Sequence, residues 1–144
     1  MKVNLLMVSR RSAREAVIGL VFELGFHSSE DTAEEILATA RAEREIPEDS
    51  YIDTCFLGIC GKLSEIDSEI EKHSCGWRVE RISRVSLAVL RLAVFELLYA
   101  EPRLPYSIAI NEAVELCKQY AEDGSASFVN GVLNSIAKSN GCEA

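Results

Sequence analysis

Proline and glycine are scarce in this chain, 3 and 8 among 144 residues. That scarcity excludes a collagen-like, loop-rich or low-complexity disordered protein. Aromatic residues make up only 7%, which argues against an all-β sandwich. No apolar run nears the roughly 18 residues of a membrane span. The start, Met1 to Arg14, lacks a long apolar stretch followed by a small-residue cleavage site, so no secretory leader is expected. Histidine is limited to His27 and His73. The five cysteines (Cys55, Cys60, Cys75, Cys117 and Cys142) are odd in number and contain no C-x-x-C pair. A reduced, cytoplasmic protein with no metal site and no cofactor is the expectation. His73 and Cys75 come nearest to a ligand cluster but lack second-pair partners, so a loop after a helix is the simpler reading. G-x-S-x-G, Walker, G-x-G-x-x-G and H-E-x-x-H patterns are all missing, and no catalytic residue is assigned.

Hydrophobic residues form 48% and charged residues 26% of the chain, the balance of a soluble globular protein. The length suits one domain, residues 1–144, with halves of about 1–73 and 74–144 meeting at Ser74-Cys75-Gly76. The net charge of −8 is unevenly spread. Residues 1–22 carry Lys2, Arg10, Arg11 and Arg14 against Glu15, a net of +3. Residues 23–73 sum to −10, and residues 78–91, with Arg78, Arg81, Arg84 and Arg91 against Glu80, return to +3. Phosphate binding follows local Lys/Arg density, so an acidic total does not exclude nucleic acid. Charge alone leaves a merely solvated basic face equally open.

Hydrophobic periodicity is helical throughout. Ser9 is placed to cap a helix from Arg10, with Ala13, Val17, Leu20, Val21 and Leu24 on one face and an end at Gly25 and His27-Ser28-Ser29. Arg11 and Arg14 flank that apolar face, where both can point at one ligand. A second helix is predicted from Asp31 or Thr32 to about Arg44, before Pro47. A long third helix, about Glu48 to Lys72, repeats Ile52, Cys55, Phe56, Ile59, Leu63, Ile66 and Ile70, with Asp and Glu on a solvated face. Val85 to Ala100 is apolar nearly all round and is therefore expected at the centre, its Arg91 and Glu96 paired together or met by a partner. Pro102 and Pro105 stop it. Two more helices follow, about Ile108 to Tyr120 with Ser107 as cap, and about Ser127 to Lys138 after the Glu122-Asp123-Gly124-Ser125 loop. With no convincing strand, the fold class is all-α: a compact bundle of six or seven helices in two packed halves.

Four stretches carry a family signature. Arg10-Arg11-Ser12-Ala13-Arg14-Glu15 resembles the R-R-x-A-R-E opening of the NusB transcription antitermination factors. Leu90 to Leu97, Ile108 to Leu116 and Phe128 to Leu133 are similar to that family's L-R-x-A-x-Y-E-L, V-A-I-N-E-A-V-E-L and F-V-N-G-V-L-D blocks, in order and spacing. The resemblance implies an all-helical, non-enzymatic RNA-binding domain. It implies binding to the single-stranded boxA element of ribosomal RNA leaders together with NusE, a ribosomal small-subunit protein. The assembly then joins RNA polymerase in an antitermination complex that reads through terminators. RNA contacts then fall on Arg10, Arg11 and Arg14, on Tyr120 and Ser125, and on Phe128 as a stacking platform. Core packing is the simpler fate for Tyr120 and Phe128. Asn111 and Asn130 are expected to make structural hydrogen bonds. The protein-partner face is expected at Phe22, Ser86, Arg91 and Glu96.

The chain departs from the family pattern at several positions. The family often has Gln at Gly19, Tyr at Phe22, an acid at Ser86, an acid at Gly124 and Lys at Ser127. Losing the lysine removes a phosphate contact, and losing the acid beside it removes a repulsion. Two alternatives stay open: a relative of the helical domain that opens some ribosomal RNA cytosine methyltransferases, and a helical protein–protein adaptor with no RNA role. The chain's stop at Ala144 favours a free-standing factor over the former.

Overall fold

The structure is a computed structural model, and it describes residues 8–26, 31–44 and 46–143. The described residues form seven α-helices and no strand. They are α1 (Arg10–Phe22), α2 (Ala33–Arg44), α3 (Ser50–Gly61), α4 (Leu63–Lys72), α5 (Arg84–Leu98), α6 (Tyr106–Tyr120) and α7 (Ser125–Ser139). The all-α expectation is met.

Local chemistry fixes most of the starts. Ser9 accepts the Ser12 N–H at 3.0 Å. Thr32 and Glu35 bond each other's backbone N–H at 3.1 and 2.9 Å, a reciprocal capping box that opens α2. Asp49 caps α3 and Ser83 caps α5. The Ser107 cap is corrected: α6 already begins at Tyr106, behind Pro105, without a side-chain cap. Proline suits that place, because its missing N–H would be unsatisfied there anyway. Helix α7 likewise starts earlier than predicted, at Ser125, because Gly124 takes the left-handed conformation (φ 90°) that turns the loop into the helix. Helix α1 runs into a 3-10 turn, Glu23–Phe26; the expected stop at His27-Ser28-Ser29 lies outside the described residues.

The long third helix is also corrected: it is two. Lys62 leaves helical geometry (φ −119°, ψ 19°), and its N–H is shared between the Gly58 and Ile59 carbonyls. Gly61 weakens the helix at this point. The break lets Ile52, Phe56 and Ile59 face α1 and α5, while Ile66 and Ile70 pack toward α5 and α7. The acidic face is less solvated than its pattern suggests. Asp67 binds Arg91, Glu71 accepts the Val79 N–H at 2.8 Å, and Glu69 accepts from Lys72 and Asn140.

Helix α5 is the axis of the bundle and touches α1, α3, α4, α6 and α7. Leu90, Leu92, Val94 and Leu97 are all buried, each contributing about 1.5–3 kcal/mol of transfer free energy. Gly58 is required where α3 crosses α5. A Cβ there would lie 2.4 Å from the Phe95 ring, and Phe95 is itself buried.

Candidate nucleic-acid interface

The start of α1 presents Arg10, Arg11 and Arg14 to three neighbouring helices, with Arg14 reaching both Glu96 of α5 and, at 3.7 Å, the Glu112 carboxylate that Arg11 binds. Arg11 Nε donates to Glu112 Oε1 of α6 at 2.8 Å. Arg10 lies over the Tyr51 ring of α3, 4.0 Å from guanidinium carbon to ring centroid. Arg14 turns inward and donates to Glu96 Oε2 of α5 at 3.0 Å. The Tyr51 hydroxyl donates to the same oxygen. Burial, the largest influence, would lower the Arg14 pKa, but the Glu96 charge and hydrogen bond, together with Tyr51 and Glu112, outweigh it and hold the guanidinium above its ordinary value. Burial, then the Glu96 charge, pushes the Tyr51 phenol far up. Both groups therefore keep their protons, and Glu96 has two donors.

Arg14 is 5% exposed, which corrects the expectation that it borders the core and shares a ligand with Arg11. It is a buried ion-pair member, and the exposed charges of the cluster are Arg10 and Arg11. Tyr120, expected to pack in the core on the simpler reading, is 49% exposed at the end of α6. Its hydroxyl donates to Glu15 at 2.8 Å and stays protonated more firmly for it. Arg11, Glu112, Glu15 and Tyr120 thus bring the start of α1 and the end of α6 to one surface.

Two residues beyond Tyr120, the chain enters an open groove of about 500 Å³. Trp77, 51% exposed, lines it together with Phe128. Phe128 is half-buried, anchored on the core yet still reachable, and Ser125 sits at the same rim. Arg81 contributes a cation, while Glu122 and Asp123 contribute carboxylates. The first turn of α7 carries neither a side-chain cap nor an acid, so its N–H groups favour an anion. Two ring faces can hold an unstacked base, the arginine and helix end suit phosphate, and the carboxylates accept from base amino groups. Trp77 and Arg81 were missed as site residues. The available signal was the aromatic–basic interleaving of Trp77-Arg78-Val79-Glu80-Arg81. Tyr51 had no such signal, since it sits inside an apolar helix pattern.

The four residues expected to meet a protein partner do not form one exposed face. Glu96 and Ser86 are each 2% exposed; Glu96 is held by Arg14 and Tyr51, and Ser86 lies at the floor of the aromatic groove. Arg91 binds Asp67 through two bonds of 2.9 and 2.8 Å, not Glu96. Five residues apart on a helix, Arg91 and Glu96 face different neighbours. Phe22 is half-buried against the core. Asn111 is exposed, and Asn130 accepts from Asn134 within α7.

His73, Ser135 and Glu69 lie in sequence, with Nδ1 at 2.7 Å from Ser135 Oγ and Nε2 at 3.4 Å from Glu69 Oε1. The order resembles a proton relay. Ser135 stands inside α7, however, where backbone N–H groups are committed to the helix and cannot form an oxyanion hole. The trio joins α4 to α7.

The NusB family profile matches residues 11–138. A protein of Natranaerobius thermophilus named transcription antitermination protein NusB is 41% identical over 133 residues, spanning 90% of this chain and 95% of its own. A Clostridium botulinum protein of the same name is 40% identical and spans 91% and 99%. Among solved structures, T. maritima NusB superimposes with a TM-score of 0.77 at 34% identity, covering 91% of this chain and 92% of that one. A chain from a complex of the antitermination factors NusB and NusE with double-stranded RNA gives a TM-score of 0.76 at 27% identity, covering 90% and 96%.

Proposed function

Since the chain belongs to the NusB family, we propose that it is a cytoplasmic transcription antitermination factor that binds boxA-type single-stranded RNA with NusE. In that role it helps RNA polymerase read through terminators in ribosomal RNA leaders. It acts by binding, not by catalysis, as a single RNA-binding domain over residues 1–144. The observation that carries this reading is the groove in which Trp77, Phe128 and Arg81 meet beside the uncapped start of α7. Arg10, Arg11, Tyr120 and Ser125 extend the RNA surface. Phe22 and Arg91 retain the exposure needed for a NusE contact, whereas Ser86 and Glu96 support that region from within.

RNA binding and melting of Trp77→Ala and Phe128→Ala, measured together, test the reading. Loss of one stacked base costs roughly 1–3 kcal/mol, about ten- to hundredfold in affinity. Trp77→Ala should show that loss with its melting temperature nearly unchanged, because the ring is exposed. Phe128→Ala should lose affinity and also part of the roughly 3–5 kcal/mol that a fully buried Phe would cost. A duplex of the same sequence should bind more weakly, since its bases are already stacked. Unchanged affinity in both variants, calculated per folded molecule, overturns the groove as the RNA site.

A further inference from the structure

Tyr51 meets both Arg10 and Arg14 of the α1 cluster. Its ring lies 4.0 Å from the Arg10 guanidinium carbon and 5.8 Å from that of Arg14. The residue is held at both ends: its hydroxyl donates to Glu96, and its backbone N–H donates to the Asp49 cap at 2.8 Å. Glu96 is in turn clamped by the buried Arg14. Helices α1, α3 and α5 therefore meet through these three side chains. Arg10, at the exposed end of this chain of contacts, makes no salt bridge among the described residues, unlike Arg11 and Arg14.

A guanidinium resting on a ring uses its flat face and leaves its in-plane N–H donors open. A side chain already ordered in that way loses less freedom when it meets an anion. The firmly protonated Tyr51 hydroxyl keeps the ring in place. We propose that Tyr51 is a positioning residue for RNA binding, which holds Arg10 over its ring, with the buried Glu96–Arg14 pair as anchor, so that the Arg10 donors face a backbone phosphate. The role rests on the RNA-binding reading above, and Tyr51 itself touches no RNA.

The experiment is a titration of a labelled single-stranded RNA carrying a boxA element against the parent, Tyr51→Leu, Tyr51→Phe, Arg10→Ala, Arg11→Ala and the Arg10→Ala/Tyr51→Leu double variant. Affinities are calculated on the folded fraction from melting curves. Tyr51→Leu should weaken binding roughly fivefold, and Tyr51→Phe, which keeps the ring, should bind close to the parent. In the Arg10→Ala background, Tyr51→Leu should add no further loss, because the two act as one unit. Should the Leu variant fail to fold, Tyr51→Met replaces it as a longer, more adaptable ringless side chain. The positioning role is overturned if the ringless variant binds like the parent, or if its loss is undiminished without Arg10. If Arg10→Ala and Arg11→Ala both leave affinity unchanged, the RNA role of α1 falls, and the role of Tyr51 with it. If they lower affinity and the ringless variant does not, only the role of Tyr51 falls.

Discussion

Residues 1–22 and 78–91 each carry a net charge of +3, and the fold uses them in different ways. In the first segment, Arg14 is sealed against Glu96, Arg11 is matched by Glu112, and Arg10 rests on Tyr51. In the second, Arg81 is exposed on the rim of the aromatic groove, and Arg78 reaches its exposed neighbour Glu80 at 3.4 Å. Arg91, at the segment's end, is taken inward by Asp67. Equal charge therefore yields one partly neutralised, rigid cluster and one solvated strip beside a ligand-sized groove. A count of arginines measures neither how many can meet phosphate nor how well each is placed.

The largest expected effect is at the sealed pair. Glu96→Ala strands Arg14 in the interior and should destabilise the protein by about 3–5 kcal/mol, read from the urea unfolding midpoint. Glu80→Ala, which removes the exposed partner of Arg78, should leave that midpoint unchanged. Equal midpoints for both variants would abolish the distinction between the two segments. By the same logic, adding Arg14→Ala to an Arg10/Arg11 double variant should lower stability through the buried pair, so the double variant is the informative one for RNA binding.

Salt dependence sharpens the comparison at the surface. Each phosphate contact to a single strand contributes about 0.7 to the slope of log affinity against log salt. Arg81→Ala should lower the slope by about that amount. Arg11→Ala should lower it less, because Glu112 already balances the guanidinium in the free protein. Equal decreases would mean that Arg11 leaves Glu112 when RNA binds.

The smallest effect is the acid response of the Arg11–Glu112 contact. The hydrogen bond from Arg11, and then its charge, hold the Glu112 carboxyl below its ordinary value. A folded-state pKa below the unfolded one means a stabilisation fully present above the ordinary carboxylate range. It is lost as pH falls through the folded value. The melting temperature of Glu112→Gln should therefore approach that of the parent as pH drops from 6 toward 3. A gap between the two that stays constant over this range would show that the contact contributes nothing through charge.

Much of the architecture is legible along the chain because its causes are local. Ser9 caps α1, Thr32 and Glu35 box the start of α2, and the all-round apolar run of α5 demands the centre of the bundle. The R-R-x-A-R-E opening and the three later blocks pointed to the family that the comparisons then showed. Periodicity, capping and motif order act over a few residues, and a single sequence carries them in full.

The fate of each charged side chain was decided only in three dimensions. Arg14 and Glu96 are 82 residues apart and pair because α1 docks on α5. Tyr51 reaches Arg10 because α3 packs beside α1, and the break at Lys62 that frees α4 from α3 has no periodic signature. Trp77 and Phe128 share a groove because the turn after α4 folds back toward the start of α7. A helix pattern states that a residue faces inward or outward, but not which partner occupies that direction. Desolvation and pairing across helices depend on that partner, and so the sequence determined the helices and the family, while the tertiary structure decided which arginines stay exposed.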